Sequence, residues 1–542
     1  MTTLSTLSAA TGYQAGSAAR AGTVAGSTGP VPAAVSTASP SSAVVLSGRA
    51  NGALVQLYSA DGTMAAVSDN TVTSGPFVWE SRQTGAISSL MAGDAVAGDL
   101  AGRWHGLGKA LLDHIKDGGG SFSQSVLQSW QAVQADEGVQ AILRQQLHDF
   151  AGNGIGLSVV TAGGAKVNFS LSADSNGIAV KVEVAEGKLA DDEREAIGGL
   201  GDAFQAAVNG LAEQPPRLAL EGLLKFDTAA LASIDLHAAL GGGDQAIDFH
   251  ADAGQRTLST SGAAGAIKVA VDLNGAAIAG SARQRQDAIA SYLEQFDAAA
   301  RRGHGDESLN ALFKDAFAQL NSSYPGQASK AGQVSPAVGM EDADRKMLTG
   351  LADFTASVSG TTRVPNPLDH GEVDSFDYRV SQRTTLGGGS QANRHIVQQQ
   401  QSSLHAAYHE PLHAGAPLKL TTDKQSQNYT YRQIDDEASS TLEIAYDKGF
   451  LARALLRQSA SQQTHVTKYV LGKKVSDITT PSQSSIVRDF TAQLRDAAAD
   501  KERQAAGGEF RWEQMLSLIG SLSLLKQDPA VLKRQAALPL AA

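Results

Sequence analysis

The chain contains no cysteine in 542 residues. That excludes disulfides, thiolate metal sites and a cysteine nucleophile, and it suits a protein that crosses an oxidising compartment unfolded. Aromatic residues make up only 5% against an apolar share of 42%, much of it alanine, so thin cores and close helix packing are expected. Long basic runs are missing. Only short spots such as Arg301-Arg302 and Lys473-Lys474 occur, and 44 basic against 55 acidic residues leave a net charge of −11, which argues against a surface that tracks nucleic-acid phosphates. No apolar window approaches a transmembrane segment.

The first fifty residues lack Asp, Glu and Lys, and their only charges are Arg20 and Arg49. A stretch this poor in large apolar groups cannot offset its ordering entropy, so residues 1–45 are expected to form a disordered leader. It does not read as a cleaved signal: the start is not basic, and its longest aliphatic run is Val44-Val45-Leu46. The reading is an uncleaved export leader of the kind bacterial type III or flagellar machines accept, with a floppy terminus as the alternative. Export would place the protein outside the cell or on its surface; without it, the protein is cytoplasmic.

Several motifs are absent as well. Neither Gly152-Asn153-Gly154-Ile155-Gly156 nor Gly198-Gly199-Leu200-Gly201 fits GxGxxG, and Gly108-Lys109 is followed by Ala110 where a phosphate loop needs Ser or Thr. No serine stands centrally in GxSxG, which removes the nucleophile-elbow hydrolases. The calcium pattern GGxGxD is approached once, at Gly198 to Asp202, with the Asp one place early.

What is present is a pattern of strands and helices. The stretch Ala196 to Ala207 recurs 92 positions on, Ala196 matching Ala288 and Phe204 matching Phe296, and each copy follows strand-like alternation, Val180 to Val184 and Ile267 to Val271. Two β-meander-plus-helix units are therefore expected. Upstream, Ala53 to Tyr58 and Thr63 to Val67 flank Asp61-Gly62 as a hairpin, and helices are expected over Trp104 to Lys116 and Ser123 to Phe150. Downstream of a helix from Glu307, a linker surrounds one helix, Glu341 to Phe354. Strands rich in Gln, Ser, Thr and Tyr follow: Tyr378 to Leu386, Asn393 to Ser403, Leu418 to Thr422, Gln427 to Ile434, Thr441 to Tyr446 and His465 to Leu471. Two amphipathic helices close the chain, one marked by Ile486, Val487, Phe490 and Leu494, the other by Trp512, Met515, Leu516, Ile519 and Leu522.

Chemistry-bearing candidates are few. His409-Glu410-Pro411-Leu412-His413 spells HExxH, in which two imidazoles one helical turn apart hold zinc and the Glu activates its water. His405 adds a third imidazole, and Asp435, Asp436 or Glu437 a carboxylate. Pro411 opposes the helix this chemistry needs, and the flanks read as strand and loop. Alternation also brings Asp248, His250 and Asp252 to one strand face, as a metal or acid–base site or simply a solvated surface. Asp191-Asp192-Glu193 suits the first turn of a helix.

The sequence thus reads as an α+β protein: a leader over 1–45, a hairpin and helices over 46–152, the duplicated region over 153–325, a linker with a short helix over 326–370, an antiparallel polar sheet over 371–475 and C-terminal helices over 476–542. A bacterial-type protein that works by contact, with no cofactor, is favoured over an enzyme. Its expected surface is residues 371–475, where Gln398 to Gln401, Tyr429 and Tyr431 on accessible faces meet a protein partner or a second copy. A metal-dependent hydrolase using His409, Glu410 and His413, and a cytosolic binding protein, are the alternatives.

Overall fold

Alternating apolar and polar residues set the architecture. The computed structural model describes residues 77–81, 85–274, 280–324, 338–503 and 507–537; the leader and the hairpin around Asp61-Gly62 lie outside the described residues. A two-residue strand β1 (Val78–Trp79) precedes helices α1 (Gly85–Asp94), α2 (Leu100–Arg103) and α3 (Leu107–Lys116). The last buries Leu107, Leu111, Leu112 and Ile115, the stripe its spacing predicts. It starts at Leu107 because Trp104 caps the end of α2, and Gly118, at φ +85°, turns the chain out of it.

The helix expected from Ser123 to Phe150 is three elements: strand β2 (Phe122–Leu127) and helices α4 (Trp130–Gln134) and α5 (Glu137–Asp149). Val126, Trp130 and Val133 are spaced like one helix face. Ser129 and Asp136, however, each accept a hydrogen bond from the amide three residues on, and each caps a new start.

Strands β3 (Asn153–Thr161), β4 (Lys166–Ala173) and β5 (Gly177–Glu186) lead to helices α6 (Asp191–Gly199) and α7 (Gly201–Leu211). Strands β6 (Leu231–Leu240), β7 (Gln245–Asp252), β8 (Gln255–Gly262) and β9 (Gly265–Asp272) lead to α8 (Ala282–Gly303) and α9 (Glu307–Ser322). Beyond α10 (Asp342–Met347) come β10 (Asp353–Gly360), β11 (Ser375–Gly387), β12 (His395–Pro411), β13 (Tyr429–Asp447), β14 (Phe450–Val470) and β15 (Lys473–Asp489), then α11 (Thr491–Glu502), α12 (Gly508–Ser523) and α13 (Pro529–Ala537).

All fifteen strands form one sheet, ordered β1-β2-β5-β4-β3-β6-β7-β8-β9-β10-β11-β12-β13-β14-β15. The mixed α+β class and the large C-terminal antiparallel sheet are as expected. Several boundaries differ: the helix expected over Glu341 to Phe354 ends at Met347 and Phe354 belongs to β10, and the strands expected over Gln427 to Ile434 and Thr441 to Tyr446 are the single strand β13. The linker 326–370 contains β10, which joins β9 to β11 and so makes the polar strands a continuation of the middle sheet. Leu418 to Thr422 is loop, and Ile486 and Val487 end strand β15 instead of starting a helix. Both stretches of the proposed repeat are meanders followed by two helices, with Phe204 and Phe296 buried. They run outward from β6 in opposite directions, β3-β4-β5 one way and β7-β8-β9 the other. Phe296 packs on Phe313 and Phe317 of α9 and reaches past its own unit to Tyr378 of β11. With the helices of both units on one face, no rotation superimposes these two meanders.

One register row shows which face is the core: Phe169, Leu157, Leu236, Phe249, Leu258 and Val269 stand side by side on consecutive strands and are all buried. Helices α3 and α7 to α9 share this cluster. Farther along, Phe490 and Leu494 at the start of α11 and Leu516 and Ile519 of α12 cover Leu442, Ile444 and Leu456 on the same face. Among the described residues, only α4 and α5 lie across the sheet from them, over Leu127 and Ala179. No helix among the described residues is long and apolar enough to cross a membrane.

Candidate functional site: the uncovered sheet face

Beyond α4 and α5 the second face of the sheet carries no helix among the described residues, and its side chains are polar, most of them short. Two adjacent rows show the pattern. One reads Thr355, Ser381, Gln401, Ser439, Ser459 and Ser485 on β10 to β15; the next reads Ser357, Arg379, Ser403, Glu437, Ser461 and Gln483. Both continue through β9 and β8 to β5. At a strand spacing of about 4.8 Å this strip is roughly 58 Å long. Apart from Ala270 and Gly156, every residue in the two rows is polar. Over β8 to β15 the face sinks into a groove of 1440 Å³.

The loop over residues 361–374 closes one end of this face, and it is here that the HExxH letters fall. His409 lies in β12 and is buried. Its Nδ1 bonds Asp374 Oδ1 at 2.6 Å and its Nε2 bonds Glu372 Oε2 at 3.2 Å. With carboxylates on both nitrogens the ring is an imidazolium, donating twice. Burial alone would depress its pKa; the bonds to Asp374 and Glu372, reinforced by their charges, outweigh that and push it up to about 9. Tyr429 donates to the same Glu372 oxygen at 2.7 Å, and Asn366 donates to the Tyr429 hydroxyl at 2.8 Å. Burial raises the Glu372 pKa, but the His409 and Tyr429 bonds bring it below the ordinary carboxylate value.

The structure therefore does not assemble the zinc site. Glu410 points across the strand to Arg432 at 2.5 Å, His413 is exposed in the loop after β12, and His405 pairs with Asp435 at 3.2 Å on the uncovered face. Asp436 turns to the other face and binds Arg302. An extended strand cannot bring residues 409 and 413 to one point, and a doubly donating imidazolium has no lone pair for a metal. Among the described residues no group of three or more His, Asp or Glu side chains is placed to hold a metal ion.

Asp248, His250 and Asp252 do share the uncovered face, as their alternation predicts. The neighbouring strand, invisible in that alternation, supplies their partners. His250 Nδ1 meets Asp235 at 2.6 Å and its Nε2 meets Asp252 at 3.1 Å, while His237 Nδ1 meets Asp248 at 2.7 Å. Burial lowers the His250 pKa and the two carboxylates more than restore it, for a net rise. Asp191-Asp192-Glu193 opens α6, and the Glu193 carboxylate takes the Ala190 and Gly163 amides.

Four side chains placed on accessible faces by the sequence are buried. Tyr429 and Tyr431 flank His409 at 5.0 and 4.8 Å between ring centroids. Gln398 and Gln400 stand on the helix-covered face. There Gln398 accepts from Thr349 N at 3.0 Å; Gln400 accepts from Leu525 N and Tyr292 Oη at 2.9 Å and donates to Ser523 O at 2.8 Å. These amides satisfy backbone that crosses the sheet without joining it. No family model matches this chain, and neither a curated protein nor a solved structure matches it.

Proposed function

We propose that this is a non-enzymatic contact protein of bacterial type, exported without a cleaved signal, whose uncovered sheet face seats a protein partner. The observation that carries the reading is the unbroken polar strip over thirteen strands from β5 to β15. Short hydroxyl side chains let a partner approach the backbone closely, and the charges lining the groove, Lys268 and Arg379 against Asp377 and Glu437, are of both signs. That mixture favours a polar protein surface over a polyanion. The hydrolase alternative loses its main ligand, because His409 spends both nitrogens on Asp374 and Glu372.

A photo-crosslinking side chain placed at Ser403, Ser439 or Ser461 tests the reading, with Glu307 and Lys501 as exposed controls on helices. The expected result is one adduct of the same mass from all three sheet positions and none from the controls, lost on Ser459→Arg in a protein that melts like the parent. Equal crosslinking from face and helices, or none from the face, overturns it.

A further inference from the structure

Among the described residues, every histidine that stands in a strand lies on the uncovered face: His237, His250, His395, His405, His409 and His465. Each has the parity of the Ser and Thr rows, and each has a carboxylate beside it. The pairs of His237, His250 and His405 are described above. His465 Nε2 meets Asp477 Oδ1 at 2.5 Å, and His395 Nε2 meets Glu443 Oε1 at 3.5 Å. His409 is sealed under the 361–374 loop and keeps its proton up to about pH 9. The other five are exposed or half-buried, within reach of solvent protons and of a partner.

The strands on either side decide the sign of the charge around them. Next to His237, β3 brings Gly156, and next to His250, β8 brings Thr257, so Asp235, Asp248 and Asp252 have no basic side chain there; Lys268 stands two strands beyond Asp248. His405 faces Asp377 on β11, which Arg379 holds at 2.8 Å, and Asp435 and Glu437 on β13. Lys474 shares Asp477 with His465 at 2.8 Å, and Arg453 and Arg457 reach Glu443 at 3.2 and 3.4 Å. While the five rings are neutral, carboxylates outnumber Lys and Arg among these groups. Histidine gains its charge between about pH 8 and pH 5, and five added protons reverse that balance.

We propose, resting on the sheet-face contact reading above, that the partner presents a basic protein surface, held by this face above neutral pH and released on acidification as the five open histidines take up protons. Complementary charge attracts such a surface in the first state and is lost in the second. Two peptides of about twelve residues, one alternating Lys and Ser and the other Glu and Ser, titrated into the full chain at about pH 8 and about pH 5.5, test it by fluorescence anisotropy and by the histidine ring signals in NMR. The Lys peptide is expected to bind at the higher pH, to move the ring signals of the five face histidines, and to weaken about tenfold or more at the lower pH; the Glu peptide is expected not to bind at the higher pH. With His237→Gln, His250→Gln, His395→Gln, His405→Gln and His465→Gln combined, the pH difference should shrink to about twofold or less, because Gln bonds the same carboxylates and takes no proton. Equal affinity of the Lys peptide at both pH values in the parent, no binding of it at the higher pH, or tighter binding of the Glu peptide there overturns the proposal whatever the folding of the variant. A folded variant that keeps the parent's pH difference overturns it too. Photo-crosslinks from Ser403, Ser439 and Ser461 separate the two readings: adducts equal at both pH values overturn the pH switch and leave the contact standing, whereas their absence at both removes the contact and the switch with it.

Discussion

His409 is a charged bracket between a loop and a sheet, and its charge makes the bracket sensitive to pH. The folded imidazolium titrates at about 9, above the ordinary histidine value of about 6.5. A raised folded pKa stabilises fully below the unfolded value, and that stability is lost as pH rises through the folded one. Urea unfolding should therefore show the parent losing on the order of 2–3 kcal/mol between about pH 6.5 and pH 9.5, while His409→Gln is flatter over that window and weaker at neutral pH. An unchanged slope in the variant would mean that another group titrates there. The sequence showed this histidine but not its role, because Glu372 and Asp374 reach it from a loop thirty-five or more positions away.

Gln400 makes the same point without charge. It sits in a run of four glutamines that alternation alone cannot orient, and the register fixes Gln398 and Gln400 inside. Gln400→Leu keeps the volume but strands Leu525 N–H and the Tyr292 hydroxyl, each bonded to it at present, while Ser523 C=O keeps its bond from Ser440 Oγ at 2.6 Å. Each buried polar group left unmet costs about 1–3 kcal/mol, so a loss of about 2 kcal/mol or more is expected in chemical denaturation. Gln401→Leu, on the solvated face, should fall within about 0.5 kcal/mol of the parent. Similar losses for the two would show that the register is wrong.

Among the elements, those with clean periodicity were legible and those at junctions were not. The α9 stripe Leu309, Phe313, Phe317 and Leu320 is buried as its spacing requires. In contrast β15 ends on Ile486 and Val487 directly before Phe490 and Leu494, and the joined run mimics one helical face; Thr491 Oγ1 accepting from Ala454 N at 2.9 Å marks the real break. Strand β15 is also the long open edge of the sheet. Its Val475, Ile478 and Val487 are exposed, the pattern that recruits other strands. Lys473, Lys474 and Pro481 oppose such pairing by charge and by a missing amide hydrogen. Replacing all three with Thr should raise the apparent mass in light scattering with increasing concentration, the parent being unaffected; a variant that matches the parent throughout would show the edge to be covered.

For the whole molecule, strand order bears on how the chain folds. From β6 onward every strand pairs with the next in sequence, and the pairs β2–β5 and β3–β6 are the departures in the first part of the sheet. The class was legible because each strand and helix advertises its own period. The single continuous sheet was not, since strand-to-strand register leaves no trace in a one-dimensional pattern. Nearest-neighbour pairing keeps loop-closure entropy low for so large a sheet, and the lack of cysteine excludes disulfide cross-linking, both of which suit the refolding that the export proposal requires. Under the export proposal residues 1–45 supply the entry segment, and their composition offers nothing to a packed core. Deleting residues 2–45 should therefore leave the melting temperature nearly unchanged and abolish appearance of the protein outside the cell, measured against a cytoplasmic lysis marker. Undiminished export of the shortened chain, or a full-length chain that never leaves the cytoplasm, would refute export while leaving the sheet-face contact function to be judged by crosslinking.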